Sequence, residues 1–239
     1  MDNKIEELKN LPIMKGVITT SERKIIQDLY KEEKIQNFVK ELKTFSLKYV
    51  AAMNETSTKL NILNEDFKTR YNRNPIDHIE SRIKSPESLI KKMLRNNIAL
   101  NLESLESNIY DIAGVRVICP FLSDIPIIIQ MIKDNPEFNI IKEKDYITKP
   151  KESGYRSYHI IVQTPIYLTT GKEFVNVEIQ IRTMAMDFWA SLEHQMKYKF
   201  DGIIPEEVHK ELVECAESIN NSDKKMLKLS ELIIESNLN

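Results

Sequence analysis

The sequence predicts an α+β fold in which helices flank a mixed β-sheet and long helices extend the domain at both ends. Two observations support this prediction. Apolar residues recur every three or four positions before residue 100, then every second position in several short segments, and helical spacing returns from residue 184. Four of the five glycines also fall after residue 110, where short strands need turns between them.

The composition limits the classes of protein to consider. The 239 residues are 41% hydrophobic and 29% charged, which suits one domain or at most two small ones. The net charge of -2 gives no reason to expect duplex DNA or a membrane as the main partner. Two distant cysteines exclude a disulfide framework and a four-thiolate zinc site within one chain. Because the sequence has neither a signal-like start nor a long apolar run, we expect a cytoplasmic protein.

Two helices are predicted before the sheet begins. Residues 21–60 contain no glycine or proline and follow helical spacing, which predicts an amphipathic helix with at most one break. A second helix begins at Ser85, a suitable N-cap because Pro86 and Glu87 favour the first helical turn. This helix is expected to end near residues 96–97.

The later elements alternate between strands and helices. Composition and period-two spacing predict strands at residues 113–119, 158–163 and 174–182, with a fourth around 138–146. Helical spacing predicts helices at 123–133, 184–198 and 205–234. We therefore divide the chain into an N-terminal helical extension (1–60), a central domain (61–204) and a C-terminal helix (205–239).

Several familiar catalytic motifs are absent from the sequence. It contains neither a P-loop nor a GxGxxG fingerprint, and its four histidines show no zinc-binding spacing. No nucleophile elbow supports a serine hydrolase. Any nucleotide site must therefore be built from other residues.

A cluster of cations surrounds the start of the second predicted helix. Arg82, Lys84, Lys92 and Arg95 face little opposing charge, and Ser88, Lys92 and Arg95 share one face of the helix. A helix N-terminus with converging Arg and Lys side chains suits a polyphosphate. On its own, such a cluster is more often only an exposed helix face.

Two carboxylates accompany predicted strands. Asp111 comes just before the buried strand 113–119, at a sheet edge where it can reach a ligand. Glu178 lies on the polar face of strand 174–182, and this face is either exposed to solvent or the floor of a polar cleft. Carboxylates from two strands are ligands that Mg²⁺ prefers, together with substrate phosphates.

A glycine-containing turn carries an aromatic residue among cations. Tyr155 follows Gly154 and is flanked by Lys151, Arg156 and His159. The ring suits base stacking and the cations suit phosphates, which is typical of a nucleotide site. A tyrosine in a turn more commonly packs against its neighbours.

Four segments resemble the synthetase domain of the RelA/SpoT-type (p)ppGpp synthetases. They read SRIKSPESLIKK, DIAGVRVIC, DYITKPKESGYRSYH and VEIQIRTMAMDFWASLEHQMKYK, and they cover most of residues 80–200. The resemblance is strongest to small alarmone synthetases of the RelQ type, which have this domain alone. It implies a nucleotidyltransferase-like mixed sheet of about five strands. It also implies transfer of the β,γ-pyrophosphoryl group of ATP to the 3′-hydroxyl of GDP or GTP, which makes ppGpp or pppGpp.

The resemblance also assigns roles to the candidate residues. It implies that Asp111 and Glu178 bind Mg²⁺ and that Glu178 activates the 3′-hydroxyl. The implied ATP-binding residues are Arg82, Lys84, Ser88, Lys92, Arg95 and Arg116, and the implied acceptor-binding residues are Lys144, Lys151, Tyr155, His159 and Gln180, with Tyr155 stacking on guanine. Lys144 replaces an Arg that is common in relatives and loses its bidentate geometry. Asp187 replaces an Asn and is left outside the site.

The resemblance further predicts a homotetramer and names pppGpp as an allosteric activator. The C-terminal helix has an apolar stripe, interrupted at residues 220–223, that suits either packing on its own domain or a subunit interface. No His-Asp metal motif occurs, and too few residues precede the first matching segment for a hydrolase domain, so we expect synthesis without hydrolysis. GMP is a third candidate acceptor.

Two other functions stay open at this point. The same fold also serves toxic small synthetases that pyrophosphorylate the tRNA 3′ end or make an adenosine alarmone, although the motifs match the RelQ type. An RNA-binding regulator would instead use Arg and Lys on the backbone of single-stranded RNA and Tyr155 on a base. Such a regulator should have lost its carboxylates, whereas Asp111 and Glu178 are both present.

Overall fold

The computed structural model describes residues 33–199 and 205–236, which form helices and the strands of one sheet. The five strands of the described sheet are β1 (His78–Ile83), β2 (Ala113–Cys119), β3 (Asn139–Asp145), β4 (Tyr158–Leu168) and β5 (Gly171–Thr183). The helices described are α1 (Glu33–Tyr71), α2 (Pro86–Arg95), α3 (Leu102–Asn108), α4 (Asp124–Asp134), α5 (Met184–Lys199) and α6 (Glu206–Ser236). These elements confirm the predicted α+β class.

The strands form one mixed sheet in the order β1-β2-β5-β4-β3. Strands β2 and β5 pair in parallel, and the other neighbours pair antiparallel. A parallel pair needs a long connection, which α4, β3 and β4 provide here. The odd-numbered residues 175–181 of β5 are buried in the same hydrophobic cluster as Leu42 and Tyr49 of α1. The even-numbered residues of β5 therefore face the other side of the sheet.

Helix α1 is longer than predicted at its C-terminal end. Residues 21–32 of the predicted helix lie outside the described residues, and α1 continues without a break to Tyr71, so the predicted end near residue 60 was wrong. Arg70 donates to Asp66 one turn earlier, which supports the additional turns. The helix ends at Tyr71, and the next residue, Asn72, has a φ of 49°, which is typical of a residue after a helix. The expected boundary between 1–60 and 61–204 falls within α1, and the domain division stays a prediction.

Most elements of the central region lie where they were predicted. Ser85 caps α2 and accepts a hydrogen bond from the Ser88 amide at 3.3 Å, as its capping role requires. Two elements were missed. Strand β1 has only two apolar residues in six and lies at the sheet edge, so it lacks a period-two pattern. Helix α3 has seven residues, which is too short for a clear helical period.

Helix α6 is continuous where its apolar stripe is interrupted. Asp223 is buried there and accepts a hydrogen bond from Thr183 Oγ1 at 2.7 Å, so the interruption is a buried polar contact with the end of β5. Before it, α6 packs against Trp189 of α5. After it, Met226 and Ile233 are more than half exposed. No helix among the described residues is long and apolar enough to cross a membrane.

Candidate active site

Polar side chains line the face of the sheet opposite the buried face of β5. Strand register aligns them in two rows, Arg82-Gly114-Glu178 and Arg116-Gln180-His159-Lys144. The even-numbered residues 176–180 of β5 are only partly exposed and Arg182 is buried. Of the two interpretations of this face, the structure therefore supports the floor of a polar cleft.

Asp111 lies directly before β2 and is held by two lysines. Lys84 donates to its Oδ2 at 2.5 Å, and Lys92 of α2 donates to its Oδ1 at 2.7 Å. Burial would raise the pKa of Asp111, but the two ammonium groups outweigh burial and lower this pKa to about 2. The carboxylate is therefore ionised at neutral pH.

The remaining members of the predicted ATP-binding set surround this pair. Ser88 and Arg95 lie about one turn before and after Lys92 on α2. Arg82 lies beside Gly114, and burial followed by the nearby Arg116 charge lowers the pKa of its guanidinium. The structure thus places these residues on adjacent elements, and it brings the two lysines into direct contact with Asp111.

Glu178 accepts hydrogen bonds on both carboxylate oxygens. His159 Nδ1 lies 3.1 Å from Oε1, and Gln180 Nε2 donates to Oε2 at 2.6 Å. Burial raises the pKa of Glu178, but the bonds from His159 and Gln180 outweigh it and the net pKa is lowered. The charge of Asp111 acts to raise the pKa of Glu178, so the two carboxylates repel each other electrostatically across the cleft.

Tyr155 lies in an aromatic group that the sequence predicted only in part. Its ring centroid is 6.2 Å from that of Tyr146, whose ring is in turn 5.2 Å from that of His159. Lys151 Nζ lies 4.5 Å from the Tyr146 centroid and 4.4 Å from the Tyr155 centroid. Tyr155 therefore both packs against its neighbours and lines the cleft. The only sequence signal for Tyr146 was its place in the segment DYITKPKESGYRSYH.

Arg182 contacts two of the predicted acceptor-binding residues and pairs with Asp187, although neither Arg182 nor Asp187 was among the predicted site residues. Arg182 Nη2 donates to Tyr155 Oη at 2.6 Å and to Gln180 Oε1 at 2.7 Å. Its Nη1 donates at 2.9 Å to Asp187, which the sequence analysis left outside the site. Strand alternation could have identified Arg182, because it shares the polar face of β5 with Glu178.

Gly154 fixes the loop that presents Tyr155 against α6. Its φ is 84°, and a Cβ at this position would lie 2.5 Å from the Cβ of Ala216. The next residue but one, Arg156, donates to the Gly154 carbonyl at 3.2 Å and to Glu217 of α6 at 2.6 Å. The C-terminal helix therefore packs directly on the loop of the candidate acceptor site.

We expect Gly154→Ala to lower the free energy of unfolding by about 2 to 4 kcal/mol, because left-handed strain and overpacking add together. Gly171→Ala is the matched control: φ there is 125°, but no atom lies within 4 Å of the new Cβ, so only strain of about 1 to 2 kcal/mol applies. Denaturant titrations of both variants measure the difference. Equal losses would show that the contact with Ala216 is not the cause.

The two carboxylates fit a metal site that a polyphosphate completes. No cluster of three or more His, Cys, Asp or Glu side chains occurs in the part of the chain that the structure describes. Asp111 and Glu178 are ionised and offer hard oxygen ligands, and Mg²⁺ usually takes one or two carboxylates together with phosphates and water. The donor set therefore suits a substrate-bound Mg²⁺ better than a structural metal.

Comparison with known proteins identifies the family. Carboxylates among lysines and arginines on a mixed sheet are the arrangement expected of an enzyme that transfers phosphoryl groups between nucleotides. Residues 81–203 match the family described as a region found in RelA / SpoT proteins. GTP pyrophosphokinase YwaC of Bacillus subtilis (strain 168) is 42% identical over 193 residues, which cover 81% of this chain and 92% of that protein. The chain belongs to the RelA/SpoT family, as its four segments predicted.

Two solved structures of small alarmone synthetase 1 from Bacillus subtilis have a similar fold. The structure bound to its product pppGpp has a TM-score of 0.76 and 36% identity, and the match covers 81% of this chain and 98% of that chain. The structure bound to AMPCPP has a TM-score of 0.71 and 34% identity, with 82% and 99% covered. These similarities confirm the predicted fold of the family.

Proposed function

We propose that this protein is a GTP pyrophosphokinase that makes (p)ppGpp, transferring the β,γ-pyrophosphoryl group of ATP to the 3′-hydroxyl of GDP or GTP. The observation that supports this function best is the cleft that places ionised Asp111 and Glu178 among cations from β1, α2 and β2. The activity named for YwaC and the product bound to small alarmone synthetase 1 support the same function.

The cationic side of the cleft is the ATP site. Phosphoryl transfer depends mainly on positioning and charge neutralisation, so lysines and arginines should contribute much of the rate. Lys84 and Lys92 are held by Asp111, which fixes their ammonium groups before the phosphates arrive. Arg82 and Arg116 flank the adenine, as the resemblance implies. Asp111 and Glu178 would hold Mg²⁺, which when bound would neutralise phosphate charge.

Glu178 is the residue that accepts the proton of the 3′-hydroxyl. Its lowered pKa keeps it ionised at neutral pH, and the donors His159 and Gln180 fix the direction of both oxygens. A fixed carboxylate beside the acceptor needs no reorientation when the proton moves.

The acceptor nucleotide lies on the opposite side of Glu178 from the lysines. Guanine stacks on Tyr155, and Lys151, Lys144, His159 and Gln180 face the rest of the nucleotide. The Lys151 ammonium lies 4.4 Å from the centroid of the Tyr155 ring. A base that stacks on this ring displaces the ammonium, which then contacts the phosphates of the nucleotide.

We expect Tyr155→Ala to raise the KM for GDP and GTP roughly 5- to 150-fold, because base stacking on an aromatic side chain is worth about 1 to 3 kcal/mol. The KM for ATP should stay within about twofold, since the lysines of the donor side are untouched. Steady-state kinetics with one substrate varied at a time measures both constants. Equal increases in the two KM values would contradict a specific role of Tyr155 in acceptor binding.

The function is tested by incubating the purified protein with γ-labelled ATP, Mg²⁺ and, separately, GMP, GDP or GTP. A labelled guanosine product that disappears when the metal is chelated is expected, and its yield identifies the preferred acceptor. No product from any acceptor would contradict the proposal, and the same assay with tRNA would then test the tRNA-modifying alternative. Release of GDP from added ppGpp would contradict synthesis without hydrolysis.

The exposed half of α6 suits subunit contact in a homotetramer. Met226, Leu229 and Ile233 are each more than half exposed and continue the stripe that packs against α5 in the first half of the helix. A monomeric mass by light scattering at micromolar concentration would contradict this assembly. Activation by pppGpp, binding of single-stranded RNA and a cytoplasmic location stay predictions, and the first two can be tested by addition to the synthesis assay.

A further inference from the structure

Arg182 is a buried charge at the centre of a hydrogen-bond network. It lies four residues after Glu178 on the same face of β5, and its side chain is 5% exposed. One nitrogen of the guanidinium donates to both Tyr155 and Gln180, and the other terminal nitrogen donates to Asp187.

With a neutral His159, one arrangement of the hydrogens satisfies these contacts. A guanidinium only donates, so the oxygen of Gln180 faces Arg182 and its Nε2 donates to Glu178. The Tyr155 oxygen accepts from Arg182, which directs its hydrogen towards His159 Nε2 at 2.9 Å. His159 then carries its proton on Nδ1 and donates it to Glu178. Both oxygens of the carboxylate are therefore oriented through chains that begin at one guanidinium.

Asp187 accepts the hydrogen bond that anchors the buried Arg182 guanidinium. A buried donor without an acceptor is unfavourable, so without an acceptor at position 187 the Arg182 side chain would turn towards another anion or towards water. Glu178 is a carboxylate on the same face of the same strand. The position of Asp187 is itself fixed, because it lies in the first turn of α5, where Thr183 Oγ1 accepts from the Met186 amide at 3.1 Å.

We propose that Arg182, anchored by Asp187, is a positioning residue that orients the Glu178 carboxylate and the Tyr155 ring as one unit. The inference rests on the proposed function for the roles of those two residues. It links the place where guanine stacks to the group that accepts the 3′-hydroxyl proton. It also explains why a carboxylate at position 187 is compatible with a neighbouring anionic substrate, since Arg182 neutralises it.

The first test requires no turnover and reads the tautomer of His159. Protein labelled with ¹⁵N at histidine is measured at pH 8.5, and the His159 signals are assigned with the His159→Gln variant. In the unmodified protein we expect a protonated Nδ1 and an unprotonated Nε2. Asp187→Ala should give a mixture of tautomers, because Arg182 can then turn towards Glu178, whereas Asp187→Asn, which still accepts from Arg182, should keep the original signals.

The second test separates positioning from direct contact with the base. For Asp187→Ala we expect kcat to fall about 10- to 100-fold, as misplacement of a reacting group does, with the KM for ATP within about twofold. Asp187→Asn should stay within about threefold of the unmodified enzyme. The fall in kcat should be the same with GDP and with inosine diphosphate, which lacks the exocyclic amino group of guanine.

Two results would overturn the proposal. One is a tautomer that does not change in Asp187→Ala. The other is an Asp187→Ala enzyme with normal kcat and a raised KM for GDP but not for inosine diphosphate, which would mean that Asp187 contacts the base. Asp134→Ala on α4, outside the network, is the control for folding and should leave both readouts unchanged. If the unmodified protein made no product, the proposed function would fail and the tautomer would still decide the positioning role.

Discussion

Glu178→Gln should lower kcat by a factor of about 10² to 10⁴, because it removes the group that accepts the 3′-hydroxyl proton. The change is nearly isosteric and keeps the side chain on the floor of the cleft. His159 and Gln180 both donate to the Glu178 carboxylate, so the amide nitrogen of the introduced Gln would face another donor. We therefore expect a stability loss of about 1 to 3 kcal/mol while the fold is retained. Single-turnover formation of labelled product measures the chemical step directly.

The control for this variant is Glu173→Gln on the same strand. Glu173 lies near the start of β5, and its carboxylate is 3.7 Å from Lys48 Nζ of α1. Its replacement should leave kcat unchanged and cost less than about 1 kcal/mol of stability. If the Glu178→Gln enzyme kept more than a tenth of the kcat of the unmodified enzyme, Glu178 would not be the base.

The secondary structure was predictable where local signals were strong. Ser85 and Pro86 define the start of α2, and the alternation of residues 174–182 defines the polar and apolar faces of β5. Strand β1 could not be predicted in this way, because HIESRI owes its extended form to pairing with β2 across the sheet and not to its own composition. The sequence could have shown that α1 continues past residue 60, because residues 61–71 contain no glycine or proline and Leu63, Phe67 and Tyr71 keep helical spacing.

The family and the expected class of activity were predictable from the four segments, and the relatives confirm both. The contacts inside the site were not. Lys84 and Asp111 are 27 positions apart and meet only because β1 and β2 pair in a particular register. The contact between Asp187 and Arg182 was not predictable for a related reason: Arg182 lies across the junction between β5 and α5, where neither strand nor helix spacing applies.

Asp111→Asn is expected to lower kcat about 10²- to 10³-fold and to raise the Mg²⁺ concentration needed for half-maximal rate. The variant removes a hard oxygen ligand and leaves Lys84 and Lys92 without the carboxylate that holds them. Titration of Mg²⁺ at saturating ATP measures both effects. Asp66→Asn, an exposed change on α1, should leave both unaltered. An Asp111→Asn enzyme with an unchanged Mg²⁺ requirement would contradict a role of Asp111 at the metal.

The same variant should change how stability depends on pH. The pKa of Asp111 is about 2 in the folded protein against an ordinary value of 3.8, because the two lysines outweigh burial. A depressed pKa contributes stability that is present above about pH 4 and is lost as the pH falls through the folded pKa, with a magnitude on the order of 2 kcal/mol. The unmodified protein should therefore exceed Asp111→Asn in free energy of unfolding at pH 7, and the difference should shrink between pH 4 and pH 2. Denaturant titrations across this range measure the difference, and a gap that did not change with pH would show that the ion pairs with Lys84 and Lys92 do not hold Asp111.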